Sequence, residues 1–319
     1  MPPPDEPYRA HSARELLTGT LLRGTIHTVT AAEHPAYAVV AAASKVAPWR
    51  RTKDEAGPEV AELERELLEH AGEPRSADEL CELVESWVGR HPGMLGEAEL
   101  EHQRAYRWRP LRSSVWLVRA PADGEWGPRT PTAYRAAPVT EGPPTGDALD
   151  TVIRCHLRAF GPAAAEDVAC WIGWSLAPVR GALRQMDGLA TFVDGADRVL
   201  YDLPDAPRPD AATEAPVRML PWFDSTLLAY APRRTRVLPD GHRDAVYSKG
   251  NLRLNATFLV DGTVAGVWSI TTAHSGVTLT LTPLERLAAP TRKALLAEAE
   301  RMVELCRPHA KAHRVQVDD

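Results

Sequence analysis

Apolar residues recur at helical spacing through the first third of the chain. Val60, Leu63, Leu67 and Leu68 fall on one helical face. Ser76 with Glu79 reads as a capping box. Leu80, Leu83, Val84, Trp87 and Val88 then follow the i, i+3, i+4, i+7, i+8 stripe of a core-facing helix. A third helix is predicted from Glu97 to Tyr106, leading into SVWLVRAP, the turn ADGEWGPRTP and TAYRA. Three helices followed by a two-stranded ribbon is the winged-helix pattern.

The pattern recurs about 85–90 residues further on, as an internal repeat of architecture. Leu149, Val152, Ile153, Leu157 and Phe160 make one helix, ended by Gly161-Pro162. Val168, Trp171 and Ile172 make a second, and Ser175 caps a third carrying Leu176, Val179, Leu183 and Met186. LATFV, the turn DGAD and RVLYDL close the repeat as a hairpin. Beyond the Pro/Asp/Ala-rich linker 204–216, ATFLV-DG-TVAGVWSI predicts a hairpin turning at Asp261-Gly262. GVTLTLTPL alternates as a strand, and Thr291 to Cys306 is an amphipathic helix. The predicted fold class is α+β: tandem winged-helix domains, then a C-terminal α+β domain with β-hairpins. The expected boundaries are a disordered tail over 1–11, the remnant of a first winged-helix region over 12–57, winged helices over 58–138 and 146–204, and the last domain over 216–319.

Composition adds compartment and partner. No 18-residue apolar run occurs, so a membrane span is not expected. Cys81, Cys155, Cys170 and Cys306 stand far apart with no C-x-x-C pair, which fits a reducing cytoplasm. The net charge is −6, but it is unevenly spread. Residues 58–108 hold thirteen acidic and five basic residues, whereas 104–135 hold seven arginines against Asp123 and Glu125. Between Pro216 and Thr257, seven basic residues face three acidic ones. Only five of the 37 basic residues are lysine, leaving 32 arginines, the side chain that forks onto phosphate. A GC-rich genome produces the same bias. Local charge decides contact, because screening acts over about 8 Å, so an acidic chain can still present one basic face.

Four stretches, LLRGTIHTVTAAEHPAY at 21–37, RAFGPAAAEDVACWIGW at 158–174, LPWFDSTLLAYAPRRTRVL at 220–238 and FLVDGTVAGVW at 258–268, resemble the winged-helix DNA glycosylases of the AlkZ/YcaQ type. The resemblance implies tandem winged helices bent around double-stranded DNA, and release of alkylated or crosslinked purines. It implies no cofactor. The family's catalytic motif, a Gln, an apolar residue and then Gln or Asp, precedes the R-G-T-x-H stretch. The 22 residues before Arg23 contain no Gln, and Gln103, Gln185 and Gln316 do not form the motif in that place. The catalytic pair therefore has no counterpart, and the expectation is a chain shortened at its start or a member that has lost the chemistry.

Release of an alkylated purine needs a held water and stabilisation of positive charge on the sugar. Catalytic candidates are Arg23, His27 and Asp224. Strand geometry predicts Arg23, Thr25 and His27 on one face of RGTIH, with Arg23 exposed in a groove; a structural histidine and a surface ion pair are the competing reading. Asp224 competes with a plain helix N-cap. Arg233, Arg234 and Arg236 with Tyr230 combine charge with a ring, as a phosphate-tracking loop does; a solvated charge run is the alternative. Lys249, Asn251, Arg253 and Asn255 alternate along KGNLRLN and line a DNA-facing or merely exposed strand. Arg129 and Trp126 stand in the first wing, where Trp126 wedges into DNA or packs on its own ribbon. The histidine pairs His91/His102 and His309/His313 lack the partners of a metal site, so no metal is expected. The partner expected is duplex DNA, bound by a monomer.

Overall fold

The computed structural model describes residues 6–44, 50–123, 125–127, 130–230, 237–248 and 253–318. The chain divides into two compact units, Met1–Pro204 and Asp205–Asp319. Both mix helices with sheets.

In the first unit, α1 (Glu6–Ser12) lies where a disordered tail was expected. The strands β1 (Leu16–Thr20) and β2 (Ile26–Thr30) pair antiparallel, from Leu16 opposite Thr30 to Thr20 opposite Ile26. Helix α2 (His34–Ala42) follows. A helical group comes next: α3 (Arg50–Ala56), α4 (Val60–His70), α5 (Ala77–Arg90), α6 (Glu97–Ala105) and the single turn α7 (Arg109–Arg112). The capping box forms as the sequence predicts: Ser76 Oγ accepts from the Glu79 amide at 3.2 Å, and Glu79 Oε2 accepts from the Ser76 amide at 2.7 Å. Leu63, Leu67, Leu80, Val84, Trp87 and Trp108 share one core. Each such side chain stabilises the fold by about 1.5–3 kcal/mol when fully buried.

The antiparallel hairpin β3 (Leu117–Pro121) and β4 (Thr132–Ala136) ends this stretch. Its partner is β1, giving a four-stranded sheet in the order β2-β1-β3-β4. Residues 16–30, read from sequence as part of a separate remnant, thus complete the sheet of the hairpin at 117–136.

The second helical group is α8 (Thr145–Phe160), α9 (Ala165–Ile172) and α10 (Leu176–Gln185). A short β5 (Ala163–Ala164) pairs with β7 (Val199–Asp202), which pairs with β6 (Ala190–Val193). The segment after β2 packs against this group. The Trp174 indole donates to the Val40 carbonyl at 3.0 Å, and Ser44 Oγ donates to the Gly173 carbonyl at 3.1 Å. The Tyr37 ring meets Trp171 edge-on at 6.1 Å.

The second unit is built on a five-stranded sheet in the order β14-β13-β12-β11-β8. Its strands are β8 (Arg218–Leu220), β11 (Thr257–Val260), β12 (Thr263–Ala273), β13 (Gly276–Pro283) and β14 (His313–Val317). Only β14 runs parallel to its neighbour. Asp261 and Gly262 both take positive φ, 50° and 71°, as a two-residue hairpin turn requires. Short elements α11 (Ser225–Leu228), α12 (Arg243–Val246), β9 (Tyr247–Ser248) and β10 (Arg253–Leu254) flank the sheet, and α13 (Ala289–Cys306) buries Leu295, Ala299 and Val303 against it.

Candidate nucleic-acid interface

The chain between α6 and α7 makes an unusual reversal. Arg107 and Trp108 both take left-handed backbone, φ 54° and 58°. Side chains pay for that conformation in strain, so packing must hold it. Trp108 supplies the packing, buried in the helical core. The reversal presents Arg109 and Arg112, three residues apart on α7, next to Arg119 on β3. The Arg112 guanidinium lies over the Tyr134 ring, 5.9 Å from its centroid, and its Nε donates to the Arg107 carbonyl at 2.9 Å. Arg119 stands directly across the hairpin from Tyr134.

These side chains line three adjoining depressions. The central one, about 330 Å³, has Ile26, Arg109, Arg112, Arg119 and Tyr134 in its wall. It shares Arg119 with a cavity of about 280 Å³ that adds Arg14, Trp126 and Arg135. It shares Thr20, Arg109 and Ser113 with one of about 360 Å³ that adds Arg23, Thr25, Arg51, Gln103 and Tyr106. Among the described residues, seven arginines line this trough, and Glu125 is the one carboxylate in its walls. Arg51 is paired with Glu99 at 3.1 Å, and Arg135 with Glu73 at 3.6 Å. Among the described residues, Arg14, Arg109, Arg112 and Arg119 have no carboxylate partner. Two large apolar side chains stand out at the rim, Tyr106 at 60% exposure and Ile26 at 51%.

The RGTIH stretch departs from the expected strand. Leu22–Gly24 is a 3₁₀ turn, Arg23 and Gly24 both have positive φ (53° and 62°), and β2 starts only at Ile26. Alternation therefore does not set the direction of Arg23. Its guanidinium donates to the Trp171 carbonyl in the last turn of α9, where the helix dipole favours a cation. Gly173 ends that helix at φ +82°, and a Cβ there would stand 2.7 Å from Arg23 Cγ. Burial lowers the Arg23 pKa, with the nearby Cys170 thiol opposing. Arg23 is thus a strut with its stem in the cavity wall rather than an open groove cation. Ile26, the apolar residue of this stretch, is exposed. Thr25 is exposed at the cavity, and His27 hydrogen-bonds through Nδ1 to the Thr25 carbonyl at 3.0 Å. Burial drives the His27 pKa down to about 4; that bond raises it, and the Arg23 charge lowers it further.

The remaining candidates separate. Asp224 Oδ1 accepts from the Thr226 amide at 2.8 Å and caps α11. Tyr230 is half-buried just after α11. Asn255 Nδ2 donates to the Ala245 carbonyl at 2.9 Å, a structural bond. Arg129, Arg233, Arg234, Arg236, Lys249 and Asn251 lie outside the described residues. Trp126 sits 5.7 Å from the His11 ring, with its amide donating to Ser12 Oγ at 3.4 Å. His91 stacks on Trp87 at 4.2 Å, and His313 Nε2 bonds to the Arg307 carbonyl at 2.8 Å. Among the described residues no helix is long and apolar enough to cross a membrane.

The site residues that pattern reading passed over are Arg109, Arg112, Arg119, Gln103 and Tyr106. The excess of arginine between 104 and 135 marked the region, but not the convergence.

A mixed α+β scaffold carrying an arginine-lined trough offers a surface suited to a polyanion, and comparison gives the family. The chain belongs to the AlkZ-like DNA glycosylase family, which matches residues 2–305. It is similar to the interstrand DNA cross-link repair glycosylase of Streptomyces sahachiroi, with 34% identity over 134 residues, 40% of this chain. That match spans 36% of the relative's length. In fold it is similar to the solved structure of Streptomyces sahachiroi DNA glycosylase AlkZ, with a TM-score of 0.74 at 24% identity, covering 98% of this chain and 85% of that one.

Proposed function

We propose that this chain binds duplex DNA along the arginine-lined trough and takes alkylated or crosslinked DNA as its substrate, as a cytoplasmic, monomeric DNA repair glycosylase. The observation that carries the reading is the set of four arginines without carboxylate partners beside exposed Tyr106 and Ile26. Free guanidinium groups bind phosphates, and exposed apolar side chains enter or stack in an opened duplex. The order of elements, three helices, the single turn α7 and a hairpin at 60–136, and three helices and a hairpin at 145–202, supports reading 58–138 and 146–204 as tandem winged helices. The relative from Streptomyces sahachiroi is a cross-link repair glycosylase, which favours a bulky or crosslinked lesion here.

A second reading, a DNA binder without the chemistry, is favoured by one observation. The glutamines stand at 103, 185 and 316, so the two Gln-x-Asp tripeptides, 185–187 and 316–318, both follow the R-G-T-x-H stretch, whereas the family's motif precedes it. Incubating the full chain with alkylated duplex at low salt, and scoring both binding and abasic sites, separates the two. Binding with little base release supports the second reading. Robust release supports the first, and makes His27 and Asp224 the residues to replace next. No binding at all removes both.

A further inference from the structure

The 360 Å³ end of the trough has a feature that phosphate binding leaves unused. Gln103 lies in its wall and is 1% exposed. Its Nε2 donates to Glu99 Oε1 at 2.7 Å and to Thr52 Oγ1 at 3.1 Å. The Thr52 hydroxyl itself donates to Glu99 Oε1 at 2.9 Å. The carboxylate fixes which way the amide faces, because it only accepts. Burial pushes the Glu99 carboxyl up, but the bonds from Gln103 and Thr52 and the charges of Arg51 and His102 outweigh this and hold it ionised. Gln103 Oε1 is left buried without a partner. A buried orphan acceptor is costly and asks for a donor.

The surroundings narrow the donor's source. Tyr106 is exposed at the mouth, offering a ring face. Arg109, which has no carboxylate partner among the described residues, flanks it, and Arg51 stands beside it in its pair with Glu99. The volume falls within the range of about 300–1,000 Å³ typical of small-ligand sites. A ligand with a flat face, an N–H donor and an adjoining phosphate is a nucleotide. Arg23 and Arg109 in the wall repel a cationic N-alkylated purine, so the lesion base itself is a poor occupant.

We propose that this cavity receives one neutral, undamaged nucleotide displaced from the duplex, stacked on Tyr106, with its exocyclic amino group donating to Gln103 Oε1 and its phosphate held by Arg109. The proposal rests on the duplex-binding reading above. A base that has lost its partner, or stands beside a distorted pair, is the least costly to displace.

The test measures affinity of the full chain, by fluorescence anisotropy at low salt, for a paired duplex and for the same duplex carrying a single bulged adenine. The bulged duplex should bind roughly tenfold tighter, from the stacking it gains. Replacing the bulged adenine by purine, which lacks the amino group, should return about fivefold of that gain, as for one lost hydrogen bond. Tyr106→Ala, at an exposed position, should abolish the preference, bringing the ratio of bulged to paired affinity close to one. Equal affinity for paired and bulged duplex overturns the pocket alone. A preference that survives both Tyr106→Ala and loss of the amino group comes from duplex flexibility and also overturns it. Binding of neither duplex overturns the duplex reading and the pocket together.

Discussion

At the scale of single residues, Arg23 and His27 are set by burial rather than by the groove. The Arg23 guanidinium is committed to the Trp171 carbonyl, and its stem packs on Gly173. Arg23→Ala leaves that carbonyl and the end of α9 without their cation, so the fold should lose about 1.5–3 kcal/mol, as for a charge-assisted bond. A melting curve checks this; an unchanged melting temperature would return Arg23 to the groove. His27 gives a pH signature. Its folded pKa of about 4 lies below the ordinary value of 6.5. Between those values the unfolded chain binds the extra proton, so stability rises with pH there. The contribution is fully present above about pH 6.5 and is lost as pH falls towards 4. His27→Gln should flatten the acid side of a plot of melting temperature against pH, and a profile identical to the parent would show that His27 does not titrate there.

At the scale of elements, what was legible followed from local rules. The Ser76–Glu79 box and the stripe from Leu80 to Val88 lie within one stretch of chain, and α5 forms where they place it. The box should matter measurably: Ser76→Ala should cost about 1 kcal/mol, seen as a drop of roughly 2–4 °C in melting temperature. The hairpins at 190–202 and 257–273 were legible for the same reason, each set by its own turn. Non-local pairing was not legible. Nothing in LLTGT at 16–20 announces a partner at Val118, yet Gly19 pairs there and joins the two strand pairs into one sheet. At RGTIH two local rules competed. Alternation promised a strand face, while Arg23-Gly24 supplied a left-handed turn, and the turn won because Arg23 has Trp171 and Gly173 to pack against. The trough was half legible. Arginine density was visible, but its convergence depends on the left-handed Trp108 that turns α7 towards β3.

At the scale of the whole molecule, a chain of net charge −6 must bind a polyanion by local field alone. The acidic stretch 58–108 is largely spent in ion pairs such as Arg90–Glu66 and Arg104–Glu85, at 2.6 and 2.5 Å, which neutralise their own surface. The trough keeps Arg14, Arg109, Arg112 and Arg119 without carboxylate partners among the described residues. With a Debye length of about 8 Å at physiological salt, charges far from the trough act only weakly on DNA lying in it. If the four arginines without carboxylate partners each meet a phosphate, log affinity should fall with log salt at a slope of about −3 to −4, near −0.9 per phosphate. Reversing Arg112 and Arg119 together to Glu should remove about two units of that slope and weaken binding most at low salt. Reversing Arg233 and Arg234 is the matched comparison, since their charge run is the other basic concentration in the sequence. Titrations of the three proteins at several salt concentrations, with melting curves to show that each is folded, decide between the surfaces. A slope flattened by Arg112/Arg119 and not by Arg233/Arg234 assigns the DNA path to the trough. The opposite result assigns it to the second unit. A slope unchanged in both variants means that phosphate contact runs through neither, and the electrostatic account of this protein fails.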